Sequence, residues 1–207
     1  MPIADFNGNT FVAFTDISGF KELMKNDATA LEAIKYFYQT GFNVLRETDN
    51  VEGFFVSDCG ILFSRNGDNQ TKLLSILDAV KKINKRMIER NYMLTTSISF
   101  GSFDYQGKIE FQGIEKNAIY GGAYVQSFLD NETGKPKIQP GQCRLVKQNL
   151  PQLDIENIPL LVERGNDRQH LYYYWHLENP EEIQNFEKNY RDSYSLKYAG
   201  MINALKS

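Results

Sequence analysis

The stretch Phe11-Val12-Ala13-Phe14-Thr15-Asp16-Ile17-Ser18-Gly19-Phe20 decides how this chain is read. An apolar run ends in an aspartate, meets a Ser-Gly pair and passes into a helical pattern. The run is short and rich in Val and Phe, which marks a buried strand. Asp16 then stands at the strand's C-terminal end, where open α/β sheets gather their ligands. Ser18 is suited to cap the helix that follows, and Gly19 permits close backbone approach. A carboxylate at that place offers a hard oxygen to a divalent cation. The free N–H groups of that helix N-terminus offer donors to phosphate. The stretch reads as half of a metal–nucleotide site.

Working outward, the 207 residues carry a net charge of -3, with 42% hydrophobic and 24% charged residues, ordinary values for a globular protein. This length suggests one domain, or one domain with a C-terminal extension; the pattern places the main domain over residues 10–176, an N-terminal arm over 1–9 and a C-terminal helical extension over 177–207. No apolar run reaches membrane-spanning length, and no basic region followed by an apolar stretch opens the chain. Cys59 and Cys143 are the two cysteines, a count that fits reduced thiols in a cytoplasm rather than a disulfide framework. The acidic balance argues against a nucleic-acid polymer as partner, and the basic residues form no stripe with aromatics.

Strands are expected at 10–16, 53–56, 60–63, 93–100, 108–112, 160–163 and 170–176. Helices are expected from Asp27 through the mid-forties, over 69–91 and over 119–130, with a turn at 104–107 and a loop at 131–142. Asn179-Pro180-Glu181-Glu182 reads as the start of a long final helix, whose stripe would run Ile183, Phe186, Tyr190, Tyr194, Tyr198. The core order β-α-α-β-β-α-β-β-α contains a ferredoxin-like unit. The fold class is therefore α+β: an antiparallel sheet with helices on one face, the other face needing a cover, for which a second copy is one way.

In that arrangement the first strand is central, and the tip of the 53–63 hairpin lies beside its end. Asp58 sits at the tip. Asp16 and Asp58 are then expected to converge as the acidic pair of a two-ion site for phosphoryl or nucleotidyl transfer.

The segment Phe11–Phe20 resembles the first metal motif of the class III nucleotidyl cyclases. Ser57-Asp58 is similar to that family's second metal motif, although a glycine usually precedes the aspartate. Thr96–Gly101 resembles the strand after the third helix. Tyr120-Gly121-Gly122-Ala123-Tyr124-Val125 resembles the Gly-containing start of the helix that carries catalytic residues. The resemblance spans about residues 8–135. It implies a dimer with active sites between chains. It also implies two Mg²⁺ or Mn²⁺ ions held by Asp16, the Ile17 carbonyl and Asp58, phosphate oxygens received by the backbone N–H groups of Ser18, Gly19 and Phe20, and attack of a ribose 3′-oxygen on the α-phosphorus with release of pyrophosphate.

The departures from the family pattern bear on substrate and rate. Purine cyclases read the base with a polar pair, and the matching positions here are Phe54 and Ala118, neither of which hydrogen-bonds a base edge. An aromatic Phe54 suits a smaller base, so UTP or CTP is the expected substrate. The resemblance is then to the pyrimidine cyclases of bacterial Pycsar anti-phage systems, whose product is read by a separate effector. The family's transition-state Asn and Arg fall at Val125 and Leu129, with Gln126 one register away. Lys116, Arg144 and Lys147 are the cations available as substitutes. A weakly active or inactive nucleotide-binding module and an adenylate cyclase with altered base contacts are the competing readings.

Overall fold

The computed structural model describes residues 3–186 apart from 112, 166 and 184, so Tyr190, Tyr194, Tyr198 and most of the expected C-terminal extension lie outside the described residues. The first strand, β1 (Phe6–Ile17), leads through a single helical turn, α1 (Phe20–Leu23), into the long helix α2 (Asp27–Glu47). The hairpin β2 (Val51–Val56) and β3 (Cys59–Ser64) follows, then α3 (Asn69–Glu89). The long strand β4 (Leu94–Phe111) turns into β5 (Ile114–Tyr120), α4 (Gly122–Thr133) and β6 (Cys143–Val146). The hairpin β7 (Leu161–Arg164) and β8 (Asp167–Tyr173) ends the sheet.

The eight strands form one sheet in the order β2-β3-β1-β4-β6-β8-β7, with β5 on the far end of β4. The stretch β2-β3-β1-β4 is the split βαβ arrangement expected from the sequence, antiparallel throughout. Asp16 pairs with Cys59 across β1 and β3, which places the hairpin tip beside the end of β1.

Strand alternation divides the core in two. Phe11, Ala13 and Ile17 enter a large cluster with Phe37 and Val44 of α2 and Leu73, Ile76 and Val80 of α3. Val12 and Phe14 enter a second cluster with Ile61, Phe63, Phe103, Tyr105 and Ala123. The two long helices cover one face as expected. The other face is not left wholly to a second copy: α4 lies on it, with the Phe128 ring edge-on to Phe14 at 5.3 Å. Burial on both faces is why β1 is a continuous apolar run.

Three local expectations are corrected. Residues 6–9, read as an arm, begin β1, with Phe6 to Asn9 paired to Tyr105 to Ser102. The expected turn at 104–107 is the middle of β4. Asp104 accepts from the Asn7 amide, and the Gly107 N–H donates to Asp5 at 2.7 Å, so polar residues that resemble turn formers are satisfied across the sheet. The last helix of the core runs from Gly122 to Thr133 rather than from 119 to 130. Ile119 and Tyr120 still belong to β5, and Asn131 is a helix residue rather than a loop residue.

Glu178 forms ion pairs with Lys81 and Lys85 of α3.

Candidate active site

Asp16 reaches the site because the β1 ladder carries it to the strand's end, and Asp58 because the β2–β3 turn is tight. Ser57 holds a positive φ of 56° in that turn, and the Asp58 carbonyl accepts from the Ile17 N–H at 3.1 Å. Asp16, Asp58 and Cys59 offer ligand atoms that all lie within 4.8 Å of one another. The Cys59 thiol donates to Asp16 Oδ1 at 3.3 Å and lies 4.0 Å from Asp58 Oδ1.

The electrostatics of the pair suit a divalent cation. Burial pushes the Asp16 carboxyl up to about 7; the Cys59 hydrogen bond opposes this, and the charges of Asp58 and Glu132 add to it. Burial also pushes the Cys59 thiol well above its ordinary range, so it is a neutral donor to Asp16 and not a thiolate. Two hard carboxylates at this separation fit a divalent ion bound through oxygen, and both are residues that the sequence singles out.

The carboxylates open into a cleft of about 480 Å³ lined by Asp16, Ile17, Ser18, Gly19, Phe20 and Asp58 from the predicted set. Lys21, Thr95, Asn131, Glu132 and Lys137 complete its polar wall. Two details differ from expectation. Ser18 is not the cap of α1: Gly19 is, in the left-handed region at φ 77° with no side-chain cap. The Ser18 N–H donates to the Met93 carbonyl at 2.9 Å, which removes it from the phosphate donors and leaves Gly19 and Phe20 of the predicted set at the cleft.

Val125, Gln126 and Leu129 do not join this cleft. They line a second one, of about 900 Å³, with Gln148, Lys147 and Arg168. Val125 and Leu129 are each 49% exposed, and the Gln126 amide donates to Gln148 at 3.0 Å. Phe54 lies in neither cleft. Its ring packs 5.7 Å from Tyr105 beside the second core cluster. Ala118 pairs with Gln106, whereas Ile119 pairs with Tyr105 and packs with that cluster. By alternation Ala118 faces away from Ile119, so the residue of β5 on the Phe54 side is itself apolar.

Of the suggested replacement cations, Arg144 is withdrawn by the structure. It is fully buried, donates to Asp130 through Nε and a terminal nitrogen at 2.8 Å each, and donates to the Pro136 carbonyl at 2.6 Å. Ser97 and His170 complete the Asp130 shell, and His170 bridges to Asp167, which also accepts from Tyr172. Burial alone would raise Asp130, but the His170 and Arg144 hydrogen bonds and the arginine charge hold it below the usual carboxylate range. This is a structural network. Lys147 is bound to Glu163, and Lys116 is exposed on β5.

Sequence reasoning missed Thr95, Asn131, Lys137 and Arg168. The first three reach the metal cleft from β4, the last turn of α4 and the following loop, and no local motif marks them.

No family model and no curated protein matches the sequence. Solved structures do. A guanylyl cyclase, Cya2, matches with a TM-score of 0.60 at 11% identity, over 83% of this chain and 93% of that one. The adenylyl cyclase CyaB from P. aeruginosa matches with a TM-score of 0.57 at 14% identity, over 83% and 95%. The guanylate cyclase domain of RhGC from Catenaria anguillulae, in complex with GTP, matches with a TM-score of 0.55 at 10% identity, over 82% and 96%. The fold is that of a class III cyclase catalytic domain. In this cyclase fold, Asp16 and Asp58 converge at the end of β1.

Proposed function

We propose that this chain is a metal-dependent nucleotide cyclase that converts UTP or CTP to the 3′,5′-cyclic mononucleotide and pyrophosphate. The observation that carries the reading is the Asp16–Asp58 pair, its ligand oxygens within 4.8 Å in an open cleft of a cyclase fold. Asp16, Asp58 and the Ile17 carbonyl would hold Mg²⁺ or Mn²⁺ ions, two per site. Such ions lower the pKa of the ribose 3′-hydroxyl and neutralise the triphosphate. Gly19 and Phe20 present backbone N–H groups to phosphate, and Lys21 and Lys137 add positive charge at the rim.

The pyrimidine preference rests on Phe54 and on the apolar Ile119, which takes the Phe54 side of β5 while Ala118 faces away. A wall without hydrogen-bonding groups reads no purine edge and favours a small base packed on an aromatic ring. That wall and the cleft lined by Val125, Gln126 and Leu129 stand apart from the metal cleft on one chain. A homodimer with each site shared between copies joins them, with Arg168 supplying the cation missing from α4. The cyclic nucleotide would act in the cytoplasm as a second messenger in anti-phage defence, read by a separate effector.

Purified protein incubated with each of the four NTPs and Mn²⁺ tests the reading. Cyclic UMP or cyclic CMP is expected, and Asp58→Ala should lose about 4 kcal/mol of transition-state stabilisation, roughly a thousandfold in rate. Cyclic AMP as the sole product overturns the pyrimidine assignment. A second reading, a nucleotide-binding module without turnover, is favoured by the apolar Val125 and Leu129. Tight nucleotide binding that is unaffected by Asp58→Ala, with no cyclic product, would establish it.

A further inference from the structure

The metal cleft holds a buried polar group that the cyclase reading does not use. Asn131 is 6% exposed on the last turn of α4. Its Oδ1 accepts from the Thr95 hydroxyl at 3.1 Å. Its Nδ2 is buried and has no hydrogen-bond partner, and Ser18 Oγ, on the same cleft, is in the same condition. Buried amide donors are almost always satisfied, so an unpaired one at a ligand cleft marks a place for a ligand atom. Because Nδ2 only donates, the atom it can bind is an acceptor oxygen and not a cation.

The surroundings define that oxygen further. Asp16, Asp58 and Glu132 repel a free anion, so the acceptor must arrive with a divalent ion. Lys137 is exposed on the same cleft and forms no ion pair among the described residues. We infer that Asn131, oriented by Thr95 and flanked by Lys137, binds a non-bridging oxygen of a metal-bound polyphosphate. It is thus a substrate-positioning residue supplied by the same chain as Asp16 and Asp58. The inference rests on the cyclase reading for the identity of that polyphosphate as the nucleotide's triphosphate or the leaving pyrophosphate.

The test uses the full chain, Mn²⁺, and inorganic tripolyphosphate or pyrophosphate as probes, followed by calorimetry. Asn131→Ala should weaken binding of Mn²⁺–tripolyphosphate by about tenfold or more, the loss of one hydrogen bond to a charged acceptor. Asn131→Asp, nearly isosteric, should weaken it further through repulsion. Lys137→Ala, at an exposed position that leaves the fold alone, should weaken it severalfold. Binding of Mn²⁺ without phosphate should stay within about twofold in Asn131→Ala and should not weaken in Asn131→Asp or Lys137→Ala, which add a carboxylate or remove a positive charge beside the ion; a merely structural role for Asn131 would not produce that split. With nucleotide, KM should rise more than kcat falls.

A matching loss for pyrophosphate puts the contact on the leaving group. A loss confined to tripolyphosphate puts it nearer the α-phosphate, and either supports the inference. Wild-type affinity in Asn131→Asp and Lys137→Ala overturns it, even if the alanine variant of Asn131 fails to fold. Failure of the cyclase reading looks different: the wild type then holds Mn²⁺–tripolyphosphate but forms no cyclic product. A wild type that binds no Mn²⁺–tripolyphosphate overturns both.

Discussion

Metal binding at Asp16 should depend steeply on pH in a range where ordinary carboxylates are already ionised. Burial, followed by the charges of Asp58 and Glu132, pushes the Asp16 carboxyl up to about 7 against the pull of the Cys59 hydrogen bond. A divalent ion needs the carboxylate, so the apparent affinity scales with its ionised fraction. That fraction is about three quarters at pH 7.5 and about 3% at pH 5.5, so Mn²⁺ should bind about 25-fold more weakly at the lower pH, close to 2 kcal/mol. Isothermal titration in two buffers of different ionisation enthalpy measures both the affinity and the proton released, expected to be about 0.9 per site near pH 6. The direction of each neighbour's effect is also fixed. Cys59→Ala removes the hydrogen bond that opposes the rise and should move the onset of binding to higher pH. Cys59→Ser keeps a donor and should move it less. Glu132→Gln removes a like charge and should move it lower. An affinity flat between pH 5.5 and 7.5, with no proton released, would refute the argument that a partly buried, mutually repelling pair awaits the ion.

The same carboxyl sets the stability of the metal-free protein. Its folded value lies above its unfolded value, so its favourable contribution is present below about pH 4 and is lost as pH rises towards 7. Asp16→Asn should therefore raise the metal-free Tm by about 4–8 °C at pH 8, which corresponds to roughly 2 kcal/mol after discounting for solvent screening. Near pH 4 it should change little, and differential scanning calorimetry reads both. Arg144→Ala strands Asp130 in the interior and should cost about 3–5 kcal/mol in denaturant unfolding, whereas a role for Arg144 in catalysis predicts lost turnover at unchanged stability. Mixing inactive Asp58→Ala with a Phe54→Asp variant should restore about a quarter of wild-type turnover, since half the random dimers carry one intact shared site of two; no recovery would place both functions within one chain.

Sequence patterning made β1 legible because burial on two faces left no polar residue between Phe11 and Phe14, and Asp16 is the first charge after that run. The hairpin was legible for a related reason: apolar residues 53–56 and 60–63 flank a short polar tip, and the split βαβ order then dictates that the tip lies beside the end of β1. Both inferences use local pattern and one topological rule. The boundaries of β1 and β4 were not legible because Asn7, Asp104 and Gly107 have the composition of turns. Their hydrogen bonds are made between segments about a hundred residues apart, which no window of sequence contains.

Arg144 shows the same limit acting on function. By residue type it was a plausible catalytic cation, since arginine is rarely buried without a partner. Its partner lies on α4, and the loop between them folds Pro136 over the guanidinium. Asp130 thus consumes the arginine, while its sequence neighbour Asn131 turns an unpaired amide towards the metal cleft's wall. Two adjacent residues of one helical turn point in different directions, one into a closed network and one to a ligand cleft. The helix boundary that separates those fates is what the sequence left misplaced: ending α4 at 130 assigns Asn131 to a loop and hides it, and extending the helix to Thr133 makes it part of the site.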